Sequence, residues 1–202
     1  MAAAGAGVLT APMSNHGRFR IFANSPVEYS RRAVDLVRKS TVVDMLSIPT
    51  LDFAKGDKWF ADPESVTPTD IQLFKDSGIN VFHMAIGLGG SDAYLESLKY
   101  FAAWNGFIAG QGEHFMRIDS AADFDRLKKS GRIGILLGLQ NSSHFRRPDD
   151  VDFFRGLGQR VSQLTYNAGN VIGNGSTERR DDRHFGLRRG DHRADEQGRH
   201  GD

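Results

Sequence analysis

The stretch RIGILLGL, Arg132–Leu139, decides the fold class. Apart from its leading arginine it contains only isoleucine, leucine and glycine, with no alternation of polar and apolar positions. A strand of that kind is covered on both faces, the condition of a strand inside a parallel sheet. Just upstream, Asp119 to Ser130 reads as a helix closing on Gly131. Downstream, Asp149 to Gly158 reads as a short helix, and Arg160–Tyr166 (RVSQLTY) as the next strand.

The same alternation extends toward the N-terminus. Arg31 to Ser40 has helical spacing, with Ala33, Val34 and Val37 on one side, and leads into a buried strand over Thr41–Ile48 (TVVDMLSI). Pro49 to Pro68 reads as a loop rich in turn residues, despite Trp59 and Phe60. Thr67-Pro68-Thr69-Asp70 then starts a helix ending at Ser77-Gly78, and Ile79–Ile86 is a strand. Gly87–Gly90 is a tight turn without the spacing of a phosphate-binding fingerprint. After it, Ser91-Asp92 caps a long helix through Phe101 and Phe107. Strands alternating with helices predict an α/β fold with a parallel sheet. Such strands begin either an open doubly wound sheet or a (β/α)8 barrel. A barrel needs about 250 residues, so these 202 residues would hold only its N-terminal part, an incomplete TIM barrel.

Bulk composition excludes several classes. A net charge of +1 provides no field for nucleic acid, and no run is long enough for a transmembrane segment. The absence of cysteine rules out disulfides, thiolate metal sites and cysteine nucleophiles. The fourteen Phe are scattered, which suits core packing better than a stacking platform. Residues 1–13 read either as the back end of a signal peptide, implying export, or as a frayed terminus that leaves a cytoplasmic chain. Oligomeric state stays open.

In parallel α/β folds the site lies at the carboxyl ends of the strands. Two of those ends are polar here: Gln140-Asn141-Ser142-Ser143-His144, and Tyr166-Asn167 with Asn170. Side-chain amides donate and accept at once, which suits peptide-like groups. The candidate substrate-binding residues are therefore Gln140, Asn141, His144, Tyr166, Asn167 and Asn170, although asparagines also serve turns by bonding their own backbone. Of the histidines before the tail, His83 reads as a core residue and His144 as a ligand or acid-base candidate. Asp149-Asp150 complements a helix N-terminus and needs no catalytic role. No Ser-His-Asp set or metal-ligand spacing is present.

Residues 132–182 resemble the membrane (renal) dipeptidase family of zinc peptidases. The resemblance is carried by Gly134–Gln140 (GILLGLQ), by Gly158–Asn167 (GQRVSQLTYN), by Asn170 and Gly173, and by Glu178 with Asp181-Asp182. It extends more weakly to Val42-Val43-Asp44 and the strand after Gly78. It implies a (β/α)8 barrel with two zinc ions, a bridging carboxylate and a metal-held water that attacks a dipeptide bond. The family's H-x-D ligands fall on Leu46 and Ile48, and its bridging Glu on Gln140. Leu and Ile cannot coordinate, and a neutral amide bridges two dications poorly. Tyr166 stands where some members have a substrate-contacting His. The resemblance thus implies either a dipeptidase-like hydrolase of a divergent branch, here an inactive fragment, or a non-catalytic binding protein of the same fold with a degenerate zinc site. The substrate or ligand would be a dipeptide or other small amide.

The tail Arg183–Asp202 departs from everything before it and is nearly devoid of apolar residues. Back-translated with one base deleted at Arg183, it reads Gly-Ile-Ser-Asp-Phe-Gly and continues as an amphipathic helix. The family's D-G-[LI]-S-x-F-G motif sits at that point. A frameshift is therefore expected, which makes residues 14–182 a partial dipeptidase-like domain and 183–202 an unstructured extension. Reading the source DNA in all frames checks this: an uninterrupted native frame ending at Asp202 refutes it.

Overall fold

In the computed structural model, residues 18–19 and 27–178 are described. The elements run β1 (Arg18–Phe19), β2 (Tyr29–Ser30), α1 (Arg31–Lys39), β3 (Val43–Ser47), α2 (Phe53–Ala61), a 3-10 turn (Pro63–Ser65) and α3 (Pro68–Asp76). They continue with β4 (Val81–Ile86), α4 (Ala93–Gly110), β5 (Phe115–Arg117), α5 (Ala121–Ser130), β6 (Ile133–Leu139), α6 (Asp149–Gly156) and β7 (Gln159–Ser162). The expectations for residues 1–13, the Asp181-Asp182 pair and the tail 183–202 lie outside the described residues.

All pairings in the main sheet are parallel, in the order β3-β4-β6. Beyond β6 the edge is shared: β5 pairs with its first half, residues 133–135, and β7 with its second half, 137–139. Strands β3, β4, β6 and β7 thus follow one another as the opening strands of a barrel do, with β5 as a short addition below β7. The α/β class and the parallel, incomplete-barrel arrangement agree with the reading of RIGILLGL.

Local chemistry fixes the ends of these elements. Ser30 caps α1, its Oγ accepting from the Ala33 amide at 3.3 Å. Thr67 and Asp70 form a capping box at α3, with Pro68 in the first turn, where its missing N–H costs nothing. Ser120 and Asp123 repeat the box at α5. Gly131 closes α5 at φ 66°, a left-handed backbone that glycine takes without strain.

Each face of the sheet has its own core. Ile133, Ile135, Leu137 and Leu139 of β6 and Phe82 and Met84 of β4 join Phe101, Trp104, Phe107, Phe115 and Phe154 in the main cluster. Its rings meet edge-on, as at Phe60–Trp104 (5.0 Å) and Phe74–Phe82 (5.2 Å), the geometry their quadrupoles favour. Val81 heads a smaller cluster on the other face with Met116, Ile118 and Leu127. On that same face His83 lies over Gly138. A Cβ at Gly138 would run into His83 Nε2 and stand 3.0 Å from Val161.

Three expectations are corrected. Residues 49–68 are not a loop: α2 occupies their middle, capped by Asp52, whose Oδ1 accepts from the Lys55 amide. Trp59 and Gly56 are buried there. The strand read over 41–48 is not buried on both faces. As β3 it forms the sheet edge, and Met45 and Leu46 are each 59% exposed. Finally, β7 stops at Ser162, so Gln163 to Tyr166 run beyond the sheet as loop. Among the described residues no helix is long and apolar enough to cross a membrane.

Candidate functional site

The parallel pairing brings the carboxyl ends of β4 and β6 together with the chain that leaves β7. Gln140, the first residue past β6, is fastened twice to β4. Its backbone amide donates to Ile86 O at 2.9 Å, and its Nε2 to Ala85 O at 3.0 Å. The second bond uses one of the two amide protons and leaves Oε1 as the acceptor the side chain can offer. Opposite lies Gly87, where an added Cβ would be 3.6 Å from the Tyr166 ring and 4.0 Å from Gln140 Cβ. Gly87, Gln140 and Tyr166 therefore form one small surface, and Tyr166 is 45% exposed on it.

The loop that presents Tyr166 is held by its own polar side chains. Asn170 Nδ2 donates to Leu164 O at 2.8 Å, while its Oδ1 accepts from the Ile172 amide. Asn167 accepts from the Thr177 and Ser176 hydroxyls through its backbone oxygen and Oδ1. The carboxylate of Glu178 accepts from the Gly169 and Gly175 amides. Asn167 and Asn170 are thus placed as fasteners of the loop, which in turn positions Tyr166. Asn141 is 7% exposed beneath the surface, with Oδ1 toward the Ser143 amide. Ser142 shares a 2.7 Å hydrogen bond with Ser162 and donates to Gln163 O, joining the ends of β6 and β7.

His144 lies elsewhere. It is fully buried, its ring 4.0 Å from that of Phe145 and 4.6 Å from that of Phe154. Gln159 Nε2 donates to Val161 O, so Gln159 Oε1 is the acceptor facing His144 Nε2 at 3.0 Å. The proton therefore resides on Nε2, and Nδ1 has no partner among the described residues. Burial pushes the His144 pKa down, against the opposing pulls of Gln159 and Asp150. This histidine is a neutral core residue out of reach of a ligand on the surface, which corrects its expected place in the site. Asp150 is as expected, a helix-start residue accepting from the Arg146 and Arg147 amides. His83 has Nδ1 on Met45 O at 2.6 Å, while Nε2 has no partner among the described residues.

Beside this surface is a feature the sequence reading missed. A cavity of about 250 Å3 opens between the carboxyl ends of β3 and β4 and helices α2 and α4, walled by Ser47, Phe53, Phe60, Met84, Tyr100 and Trp104. Tyr100 donates to Met84 O at 2.7 Å, and burial raises its pKa. The Ser47 hydroxyl is buried with no partner among the described residues. The spacing of Phe53, Gly56, Trp59 and Phe60 carried the signal for this wall.

The zinc chemistry implied by the resemblance finds no donor set here. Leu46 and Ile48 have no lone pairs to offer, Gln140 is neutral, and the described residues contain no group of three His, Cys, Asp or Glu able to hold a metal.

No protein-family model matches the chain, and no curated protein matches it. Solved structures do, among them an amidohydrolase from Pseudomonas aeruginosa with 24% identity and a TM-score of 0.59. The match covers 76% of this chain but only 42% of that one, so the chain spans less than half of its neighbour's length. The likeness establishes an amidohydrolase-like fold.

Proposed function

We propose that the carboxyl-end surface of Gly87, Gln140 and Tyr166 binds a small amide of the dipeptide class, in a branch of the fold whose opening strands no longer hold metal. The observation that carries this reading is the double anchoring of Gln140 to β4. It fixes a neutral acceptor where the resemblance implies a metal-bridging carboxylate. A peptide group can donate to Gln140 Oε1, and the Tyr166 hydroxyl can donate to the peptide carbonyl. Gly87 leaves the backbone open to close approach.

The second reading is a metal-dependent dipeptidase. It is supported by the amidohydrolase neighbour and by the L-T-Y-N segment at Leu164–Asn167, and its ligands would come from outside the described residues.

Calorimetric titration with an alanyl dipeptide, alongside zinc quantitation and a hydrolysis assay, separates the two. The binding reading expects saturable binding without stoichiometric zinc or turnover. Loss of one hydrogen bond in Tyr166→Phe or Gln140→Leu should weaken binding about 2–10-fold. Stoichiometric zinc with hydrolysis establishes the second reading, and absence of binding refutes the first.

A further inference from the structure

The opposite end of the sheet carries a cleft of about 410 Å3, formed where α1, α3 and α5 finish and β6 begins. Arg38, Lys39, Lys75, Lys128 and Arg132 line it, and no carboxylate does. Among the described residues none of these five is in an ion pair. Arg31, Lys55, Lys99, Arg117, Arg126 and Arg160 each have an acidic partner.

Basic residues in a last helical turn ordinarily offset the helix dipole, so the magnitudes must decide. Three helix C-termini supply about −1.5 elementary charges, against +5 from the side chains. Of the acids on these helices, Asp35, Asp70 and Asp123 are engaged by Arg31, Lys55 and Arg126. Asp76 accepts from Gln72, and Asp125 lies outside the lining. Counting both of these in full still leaves a surplus of about +1.5.

Two groups of the cleft are also placed to donate. Asn80 Oδ1 accepts from the Val42 amide at 2.8 Å, which leaves Asn80 Nδ2 as a donor. Arg132 donates one N–H to Gly112 O at 3.1 Å, fixing its guanidinium while other donors stay free. The volume lies within the range of small-molecule sites, about 300–1,000 Å3. Nucleic acid needs an extended basic stripe, whereas this charge is gathered in a concavity on a chain of net charge +1.

We propose that this cleft binds a small polyanion carrying two or more phosphates, with Arg38, Lys39, Lys75, Lys128 and Arg132 holding its oxygens. The site lies at the end of the sheet away from the amide-binding surface and does not depend on it. Calorimetric titration of the 202-residue chain with inorganic tripolyphosphate tests the assignment. One saturable site per chain is expected, weaker at high salt because the contacts are exposed charges. Lys39 and Lys128 are both exposed, so the double variant Lys39→Gln/Lys128→Gln should keep its near-ultraviolet circular dichroism. Its affinity should fall at least about tenfold, while Lys58→Gln on α2 leaves affinity unchanged. The proposal is overturned by absence of saturation, by equal loss in Lys58→Gln, by affinity indifferent to salt, or by full affinity in the double variant. It is also overturned if a single-stranded oligonucleotide binds more tightly than tripolyphosphate, which would make the cleft a nucleic-acid contact.

Discussion

Placing a methyl group at Gly138 tests the inner face of the sheet. In Gly138→Ala the new Cβ meets His83 Nε2 well inside contact distance and stands 3.0 Å from Val161 Cβ and Val161 O. Overpacking of this kind costs about 1–3 kcal/mol. His83 can swing aside only by giving up its 2.6 Å hydrogen bond to Met45 O, worth about 0.5–1.5 kcal/mol. The expected loss is therefore about 2–4 kcal/mol, a large share of the 5–15 kcal/mol typical of a domain. Urea unfolding followed by fluorescence reads it directly, since Trp59 and Trp104 are both buried in the main core. The decisive measurement is a cycle with His83→Ala, which removes the ring that the new methyl strikes. The double variant should lose about 1–3 kcal/mol less than the two single losses added. Val161 keeps some of the clash, so recovery is incomplete. A Gly138→Ala midpoint equal to the parent's, or strict additivity in the cycle, refutes the packing described for this face.

Two further outcomes follow from buried polar groups. Because His144 has a folded pKa below the ordinary 6.5, the unfolded chain takes up a proton that the folded chain refuses. Its contribution is complete above about pH 6.5 and is lost as pH falls toward the folded value, so His144→Phe should flatten the decline of the urea midpoint between about pH 7 and 5, and identical slopes would contradict this. Ser47→Ala removes a buried hydroxyl that has no partner among the described residues, so stability should stay level or rise by up to about 1 kcal/mol; a loss above that in thermal unfolding would mean the hydroxyl is bonded after all.

What could be read from the sequence was what repeats locally. Arg132–Leu139 declared itself by unbroken apolar character, α3 by Thr67-Pro68 and Asp70, and α5 by its close on Gly131. Helix α2 escaped because Lys55, Asp57 and Lys58 interrupt its apolar residues and Gly56 reads as a turn, although it is buried inside the helix. Strand β5 spans three residues, too few to show a period. The exposure of Met45 and Leu46 depends on β3 being an edge, a property of the sheet and not of the strand. The site divides the same way: Gln140 and Tyr166 were legible as polar residues past strand ends. That Gly87 lies between them follows from pairing among β4, β6 and β7. His144 was misplaced because the turn after β6 tucks under Phe154, a contact of the main core.

The shared edge of β6 also has a consequence for synthesis. Strands β4 and β5 do not pair with each other: β4 lies between β3 and β6, and β5 pairs only with β6. As the chain leaves the ribosome, β3 and β4 can pair once Ile86 is free, but β5 must wait for β6, residues 133–139. At about 5–20 residues per second, the fifty or so residues between the end of β4 and the end of β6 take roughly 3–10 s to appear. During that interval the buried Phe115 and Met116 of β5 have no strand beside them. A chaperone that holds nascent chains would meet this protein in that window, and slowing translation across residues 87–139 should lengthen the encounter.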